Sequence, residues 1–432
     1  MVKSAFVATL LLLSAALSMP ASAEGNREDH GAGNPAVDWN RIALRTTAAA
    51  AFNPPLESRN MAVVDASMYD AVTSITREFA PYAVRLTAPE DASSAAAAVA
   101  AAHYALVYLY PGQAPALDAD YVSSLGRIAD GSGKRNGIAL GEVVATEILA
   151  IRAPDNSSVI FPYTPGTGPG VWQPTPPAFK PALDPGWGHV TPFLLASGSQ
   201  FRPAAPYSLS SDAYTRDFNE IKAVGSANST TRTPEQTVIA RFWLSTGTQE
   251  WNQPAMQLAV ARHYSLSRTA RLLAALNMAG ADAFIAGWDA KYTYNQWRPI
   301  TGIRNAGIDG NPDTVADPTW TSLLVTPPFP DYICGHTIFA GAAQAVLERF
   351  FGKSDRLSLS VTSASTPGVV RIYTSFREMG DEVLNARVWA GIHWRTSCEV
   401  GRQVGQEVGR YGLEHFPSAT DEAQEADNQS GE

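Results

Sequence analysis

The middle of the chain carries a segment that excludes regular secondary structure. Between residues 153 and 206, the stretch FPYTPGTGPGVWQPTPPAFKPALDPGWG is crowded with proline and glycine. Proline has no backbone N–H to donate and fixes its own φ, so neither a regular helix nor a central strand can run through this spacing. A flexible linker is one interpretation. The aromatic residues favour a segment that packs on the protein instead; they are Trp172, Phe179, Trp187 and Phe193.

Both regions that flank this segment show the periodicity of helices. The sequence predicts helices over 39–51, 58–75, 93–110, 121–128, 137–151, 214–223, 234–244, 254–264, 267–291, 336–351, 375–389 and 393–411. One short strand is predicted at 358–362. We therefore expect an all-α protein with helical bundles and long Pro/Gly-rich loops. The expected parts are an N-terminal bundle at 24–155, the loop segment at 156–206, a C-terminal bundle at 207–416 and a polar tail at 417–432.

The first 23 residues have the organisation of a cleaved signal peptide. Lys3 gives a short positive start, residues 5–17 form an apolar stretch, and the Ala-Ser-Ala sequence at 21–23 is typical of a cleavage site. The apolar stretch is shorter than the ~20 residues that a membrane span needs, which disfavours a membrane anchor. We expect a secreted or periplasmic protein with no membrane span after cleavage.

Composition narrows the classes of function. The 432 residues are 45% hydrophobic and only 17% charged, which is typical of a globular protein with a large interior. A net charge of −9 argues against a nucleic-acid partner, because phosphate binding needs a basic face. Two cysteines are too few for a disulfide-rich fold or a multi-cysteine metal cluster. The sequence does not predict an oligomeric state.

Lys291 and Arg298 form the first of three clusters that carry chemistry. Seven residues are about two helical turns, so a continuous helix would bring both cations to nearly one face. Pro299 is expected to end that helix. Taken alone, the pair is more typical of two solvated surface cations.

The second cluster, Cys334-Gly335-His336, opens a predicted helix. Gly335 lets backbone amides approach a ligand closely, and the free amides of a helix start favour an anion. His336 could hydrogen-bond that anion and exchange a proton with it. A capped helix with a structural histidine is an equally good interpretation of this cluster alone.

Arg387 and His393 make up the third cluster. Six residues on an unbroken helix leave two side chains about 120° apart, so the pair could not share a face. Gly391 offers a break that lets them converge. His393 and Ser397 are spaced i and i+4, and we expect them on one face of the following helix. An ordinary helix–turn–helix joint would also explain this cluster alone.

Together, the clusters place three cations and two imidazoles within residues 291–393. Three cations can compensate the charge of a tetrahedral oxyanion. One imidazole can serve as ligand or nucleophile while the other serves as acid/base. The combination predicts one oxyanion site in the C-terminal bundle.

The three clusters resemble the signature of the vanadium-dependent haloperoxidases, which share a superfamily with the type 2 phosphatidic-acid phosphatases. That signature reads Lys, six residues, Arg-Pro; then Pro-Ser-Gly-His; then Ser-Arg, five residues, His, three residues, Asp. The first element is complete here, the second reads Ile-Cys-Gly-His at 333–336, and the third has Ala386 for the serine and Ser397 for the aspartate. The resemblance extends over essentially the whole mature chain and implies the fold of vanadium chloroperoxidase.

The resemblance also implies a cofactor, vanadate, and phosphate could occupy the same site. The residues that it implies for binding are Lys291, Arg298, Cys334, Gly335, His336, Arg387 and His393. His393 would be the axial ligand, and His336 would act as acid/base when hydrogen peroxide binds. Lys291 would polarise hydrogen peroxide for attack by a halide. Trp288 and Phe329 would line the substrate pocket.

Three functions remain open at this point. The first is a vanadate-dependent haloperoxidase that oxidises a halide or an organic sulfide with hydrogen peroxide. The second is a secreted acid phosphatase in which His393 accepts the phosphoryl group and His336 protonates the leaving alcohol. The third is a non-catalytic oxyanion-binding protein. Because vanadate resembles the phosphoryl transition state in geometry, the pocket alone does not choose between the first two.

Two departures from the signature affect the site. Cys334 replaces a serine, and a thiol is a weaker hydrogen-bond donor. Ser397 replaces the aspartate expected to orient His393, so the imidazole is less basic or has another partner. Cys334 and Cys398 are the only two cysteines, and both lie next to the predicted site. We expect a disulfide between them, because the helix starts that carry the two histidines should be close. The alternative is two unpaired small core residues.

Overall fold

Helices make up most of the regular structure. The computed structural model describes residues 33–51, 53–245 and 247–420. The predicted signal peptide and most of the predicted polar tail lie outside these residues. The helices are α1 Pro35–Ala50, α2 Pro54–Thr76, α3 Ser94–Leu109, α4 Ala114–Leu125, α5 Ser132–Arg152, α6 Asp212–Val224, α7 Pro234–Phe242, α8 Thr248–Ala261, α9 Leu266–Tyr294, α10 Pro299–Arg304, α11 Gly335–Phe351, α12 Phe376–Trp389 and α13 Arg395–His415.

Several prolines do not have the positions that the sequence predicts for them. Two prolines that were expected to separate or end helices begin helices instead. Pro54 lies in the first turn of α2, and Pro299 lies in the first turn of α10. The first helical position has no intrahelical use for an N–H, so proline fits there at no cost. Pro254 lies inside α8, which begins six residues earlier than predicted. The predicted strand is one half of an antiparallel hairpin, in which β1 (Leu359–Thr362) pairs with β2 (Val370–Tyr373).

Helix α9 forms the centre of the fold. It is 29 residues long and almost entirely buried, and it packs against α2, α11 and α13. Helices α11 and α13 approach each other unusually closely, because a Cβ at Gly405 would lie only 2.0 Å from the carbonyl oxygen of Ile338. These contacts bring together the helices that follow the second and third sequence clusters. Within the described residues, no helix is both long and apolar enough to cross a membrane.

The Pro/Gly-rich segment packs against the helices. Trp172, Trp187 and Phe193 are buried, whereas Phe179 is exposed. The backbone N–H of Trp172 donates to the carbonyl of Asn295, just after α9. The preference of this segment for packing is therefore confirmed for three of the four aromatic residues named in the sequence analysis.

Candidate oxyanion-binding site

Lys291 lies near the end of α9 and is fully buried. Its Nζ donates to the carbonyl oxygens of Pro330, Asp331 and Ile333, at 3.1, 2.9 and 2.6 Å. An ammonium group has three protons, so all of them are engaged. Burial, followed by the positive charge of Arg298, lowers the pKa of Lys291 to about 7. The family role of polarising hydrogen peroxide would therefore require one of these hydrogen bonds to break.

Arg298 converges with Lys291, but not through a shared helix. Helix α9 ends at Tyr294, the next residue Asn295 adopts a left-handed conformation with φ +49°, and Arg298 is the residue that precedes α10. The prediction of one helical face was wrong because asparagine tolerates this conformation and turns the chain. Arg298 Nε donates to the Phe329 carbonyl at 2.7 Å, and Nη1 lies 3.0 Å from His393 Nε2. Burial lowers the pKa of Arg298 to about 10.

Arg387 and His393 converge at the break that glycine makes. Gly391 has φ +77°, and a Cβ there would lie 2.2 Å from the carbonyl oxygen of Gly225. Arg387 is in the last turn of α12, and its Nη1 donates to the carbonyl of Trp243. His393 precedes α13, which begins at Arg395. The prediction that His393 lies on the face of that helix was therefore wrong, whereas the predicted break at Gly391 is present.

His336 lies in the first turn of α11, as predicted, and is half-buried beside the same groups. Its Nε2 contacts the carbonyl oxygen of Ser245. A carbonyl can only accept, so Nε2 carries the proton and Nδ1 presents its lone pair. Burial, followed by the charge of Arg387, lowers the pKa of His336 to about 3. The imidazole is therefore neutral at ordinary pH.

Trp288 and Phe329 form an apolar wall beside the cations. Their ring centroids are 5.0 Å apart, and both residues are buried. Lys291 Nζ lies 4.9 Å and Arg298 Cζ lies 4.6 Å from the centroid of Phe329. Gly335 packs against this wall, since a Cβ there would lie 3.3 Å from the Trp288 ring. The structure thus brings both predicted pocket residues to the site.

Cys334 and Cys398 are adjacent and buried, as expected, but they are free thiols in this structure. The two cysteines are separated by 3.7 Å, so the predicted disulfide is not present here. Burial alone would raise the pKa of the Cys334 thiol. Hydrogen bonds with Cys398 and His393 and the charge of Arg387 outweigh burial, and the pKa is well below its ordinary value. A bridge needs sulfur–sulfur contact near 2.05 Å, about half of this separation.

Asp331 is a site residue that the sequence analysis missed. Its carboxylate is fully buried, with Oδ1 at 2.9 Å from His393 Nδ1 and 3.6 Å from Arg298 Nη1. The carbonyl oxygens of Trp243 and Ser245 were also missed, because backbone acceptors leave no trace in a sequence. For Asp331 a signal exists. It lies three residues before Cys334, in a chain whose third cluster lacks its aspartate.

At this site, two buried guanidinium donors have no acceptor among the described residues. They are Arg298 Nη2 and Arg387 Nε, and Arg152 Nε and Arg371 Nε are in the same position elsewhere in the fold. An unpaired buried donor on a charged group is costly, and such a pair is expected where an anion completes the arrangement. The two arginines and the Lys291 ammonium bring positive charge to the cluster that contains His393, and the two arginines keep open hydrogen-bond donors. These residues fit a compact, multiply charged oxyanion.

Comparison with known proteins shows which proteins this chain resembles. A sequence profile described as the VCPO second helical-bundle domain matches residues 271–422, which include every residue of the three clusters. Vanadium chloroperoxidase from Curvularia inaequalis is 24% identical over 486 residues, covering 85% of this chain and 79% of that protein. The crystal structure described as the first bacterial vanadium-dependent iodoperoxidase has 28% identity and a TM-score of 0.76, covering 89% of this chain and 97% of the other.

The chain is thus similar to vanadium haloperoxidases over most of its length, and residues 271–422 match the second helical-bundle domain of that family. The predicted all-α fold is confirmed at the same time. Holo-type and apo-type crystal structures of a bacterial vanadium-dependent chloroperoxidase share the fold of this chain, with TM-scores of 0.69 each and identities of 18% and 17%. They cover 85% of this chain.

Proposed function

We propose that this protein is a vanadate-dependent haloperoxidase that uses hydrogen peroxide to oxidise a halide or an organic sulfide. One observation carries the proposal above the others. Arg298 and Arg387 each keep a buried guanidinium donor without an acceptor, Arg298 contacts His393, and the chain resembles an iodoperoxidase over nearly all of both lengths.

Each residue of the site has a part in this proposal. His393 Nε2 would hold vanadate, with Arg298 Nη2 and Arg387 Nε donating to its oxygens. When bound, vanadate supplies a Lewis acid that activates hydrogen peroxide for two-electron oxidation. Lys291 would add positive charge without donating to the anion, since its protons are held by backbone carbonyls.

His336 would move the proton. Its Nε2–H is held by the Ser245 carbonyl, so Nδ1 is the atom that accepts a proton from incoming hydrogen peroxide and later returns it. The neutral form favoured by burial is the form that can accept. The apolar wall of Trp288 and Phe329 suits a soft, weakly hydrated halide or a thioether. Iodide is the most easily oxidised halide and is therefore the first substrate to test.

The experiment is reconstitution of the purified full chain with orthovanadate, followed by measurement of iodide, bromide and chloride oxidation by hydrogen peroxide. We expect iodide oxidation that depends on added vanadate and is lost when phosphate competes for the site. His393→Ala should lose vanadate binding, measured by calorimetry. His336→Ala should keep weak binding but lose turnover, because an acid/base group acts mainly in the transition state. His415→Ala, at the exposed end of α13, is the matched control.

The alternative functions give different outcomes in the same experiment. An acid phosphatase would hydrolyse p-nitrophenyl phosphate without vanadate, and orthovanadate would inhibit it. An oxyanion-binding protein would bind vanadate and phosphate and turn over neither substrate. Equal loss of vanadate in His393→Ala and His336→Ala, or normal binding in both, would contradict the division of roles.

We also propose export to a secreted or periplasmic location. The support is the signal-like sequence of the first 23 residues. Expression of the full chain in a bacterial host and N-terminal sequencing of the product test it. The expected mature protein begins at Glu24 and is recovered from the periplasm or the medium. An intact N-terminus in the cytoplasmic fraction would contradict export.

A further inference from the structure

His393 needs a group that fixes its ring, and Ser397 does not supply one. An imidazole ligand is normally held through its second nitrogen by a carboxylate or carbonyl, which sets its tautomer and its direction. Ser397 occupies the place where the family signature has an aspartate. Its hydroxyl donates to the backbone carbonyl of Asp331 at 3.2 Å and is not among the contacts of the imidazole. The carboxylate at this site comes from another element.

Asp331 reaches the second nitrogen of His393 from the loop before α11. Oδ1 lies 2.9 Å from Nδ1, and both residues are almost completely buried. Arg298 Nη1 lies 3.0 Å from the opposite nitrogen, Nε2, and 3.4 Å from Nδ1. A proton on Nδ1, beside the carboxylate, leaves the lone pair on Nε2 as the one that can accept.

The backbone around Asp331 is held by all three sequence clusters. Its N–H donates to the carbonyl of Gln296, and its own carbonyl accepts from Lys291 Nζ and Ser397 Oγ. The next residues lead directly into Cys334, whose N–H donates to the Ser397 carbonyl at 3.1 Å. The carboxylate is therefore placed by a fixed scaffold.

The burial of this carboxylate calls for a charged partner. Neither of its oxygens has an aligned hydrogen-bond donor within the described part of the chain. The basic side chains within 4.0 Å of it there are the His393 imidazole, at 2.9 Å, and the Arg298 guanidinium, at 3.6 Å. A buried charge persists only where such partners compensate the loss of water. The shorter of the two contacts is to the imidazole.

We propose that Asp331 is the positioning residue for His393 and takes over the role of the aspartate that Ser397 replaces. The carboxylate has moved from the helix after the histidine to the loop before α11, and the small serine leaves room for it. The inference rests on the proposed function for the identity of the anion. The pairing of Asp331 with the ring can be tested without any anion.

The first test measures the tautomer of His393 in the full chain labelled with ¹⁵N-histidine. Long-range ¹H–¹⁵N spectra of the wild type should show a protonated Nδ1, with the signals assigned by their loss in His393→Gln. In Asp331→Asn, we expect the Nδ1 and Nε2 shifts to move towards a mixture of tautomers. Asp282→Asn is the matched control, because it neutralises an equally buried carboxylate away from the site. Unchanged His393 shifts in Asp331→Asn would overturn the proposal.

The second test measures orthovanadate binding by calorimetry. Loss of a group that orients a ligand typically weakens binding by about 10- to 100-fold, which is the decrease we expect for Asp331→Asn. The double variant Asp331→Ser with Ser397→Asp returns the carboxylate to the helix, and we expect it to recover affinity to within about threefold. If Asp331→Asn and the double variant bind orthovanadate equally weakly, the proposal that Asp331 takes over the role of the missing aspartate is overturned.

Two further outcomes are distinguishable. If the wild type binds no vanadate, the proposed function fails, whereas the tautomer measurement still decides the pairing. If Asp331→Asn does not fold, as judged by circular dichroism, the double variant decides. A folded double variant with the wild-type His393 tautomer supports the proposal, and one with mixed tautomers overturns it.

Discussion

Two sets of buried charged groups in this protein are built in opposite ways. Asp70 and Asp282 are buried carboxylates that each accept three backbone N–H groups, from residues 82–84 and 193–195. We call them the loop anchors. In the oxyanion site, Arg298 and Arg387 are buried cations that each keep an N–H without an acceptor. Both sets are shielded from water, but only the loop anchors have all their partners within the protein.

The difference separates stability from binding. A buried charge whose hydrogen bonds are complete fixes the segments around it, so its removal leaves several orphaned groups. A buried charge with an open donor costs stability until a ligand arrives. The loop anchors should therefore matter for folding and hardly for anion binding, whereas the reverse should hold for the site arginines. The following changes test that contrast.

The largest effect is expected for Arg387→Met, which replaces the cation by an apolar side chain of similar length. Orthovanadate affinity should fall by about 1,000-fold, or roughly 4 kcal/mol, because a charge-assisted donor and its field are lost. The free energy of unfolding should stay the same or rise, because an incompletely paired buried charge is removed. Calorimetric titration and urea denaturation measure the two quantities. A loss of stability above about 2 kcal/mol would erase the contrast with the loop anchors.

Asp282→Ala should do the opposite. It leaves three buried N–H groups at 193–195 without an acceptor, and we expect a loss of about 3 kcal/mol in the free energy of unfolding. Vanadate affinity of the folded protein should change by less than about threefold. Urea denaturation and calorimetry apply here as well. A weakening of affinity as large as that of a site variant would show that the two sets are coupled.

Asp65 offers a pH-dependent version of the comparison. It is fully buried among amides of Asn40 and Asn277, and burial raises its pKa from 3.8 to about 7. The folded protein then holds the proton more tightly than the unfolded chain. The contribution of this group to stability is therefore complete below about pH 4 and is lost as the pH rises through 7.

The variant Asp65→Asn should remove that dependence. At pH 8, the variant should be more stable than the wild type by about 2 kcal/mol, because the wild type must bury a charge there. Near pH 4, the difference should vanish or reverse. Thermal or urea unfolding between pH 4 and pH 8 measures it. A difference that is constant across this range would mean that Asp65 does not titrate with folding.

The smallest effect is expected for Cys334→Ser, which restores the family residue. A hydroxyl is a stronger donor than a thiol, so orthovanadate affinity should rise by about fivefold, or roughly 1 kcal/mol. Stability should change little, since the two side chains are similar in size. Calorimetry on the reduced protein measures the affinity, and Cys398→Ser is the matched control. An equal rise in the control would assign the effect to the thiol pair and not to a donor at the site.

The helices could be predicted from the sequence because their burial follows the helical period and their ends carry recognisable residues. The long helix α9 and the start of α11 at Gly335 are examples. The residues at which helices begin and end were harder to predict. Pro299 is compatible with both stopping and starting a helix, and only the preceding turn at Asn295 decides between them.

The members of the site could be predicted, but not the way in which they meet. Spacing identified Lys291, Arg298, Arg387 and the two histidines, and all of them converge. The Lys291 ammonium donates its protons to backbone carbonyls of a loop about 40 residues further along the chain, and no local sequence pattern predicts such a contact. Asp331 was missed for the same reason, since its partner His393 is 62 positions further along. The cysteines were correctly expected to be neighbours, but adjacency does not determine their oxidation state.

The anchor at Asp282 also has a consequence for the order of events in folding. Its three acceptor contacts join residues that are 87 to 89 positions apart. Closing so long a loop carries a large entropic penalty before any contact forms, whereas α9 can grow from local contacts. The segment at 193–195 therefore docks late, onto a helix that already exists. Weakening this contact would speed the unfolding reaction and leave the refolding rate almost unchanged.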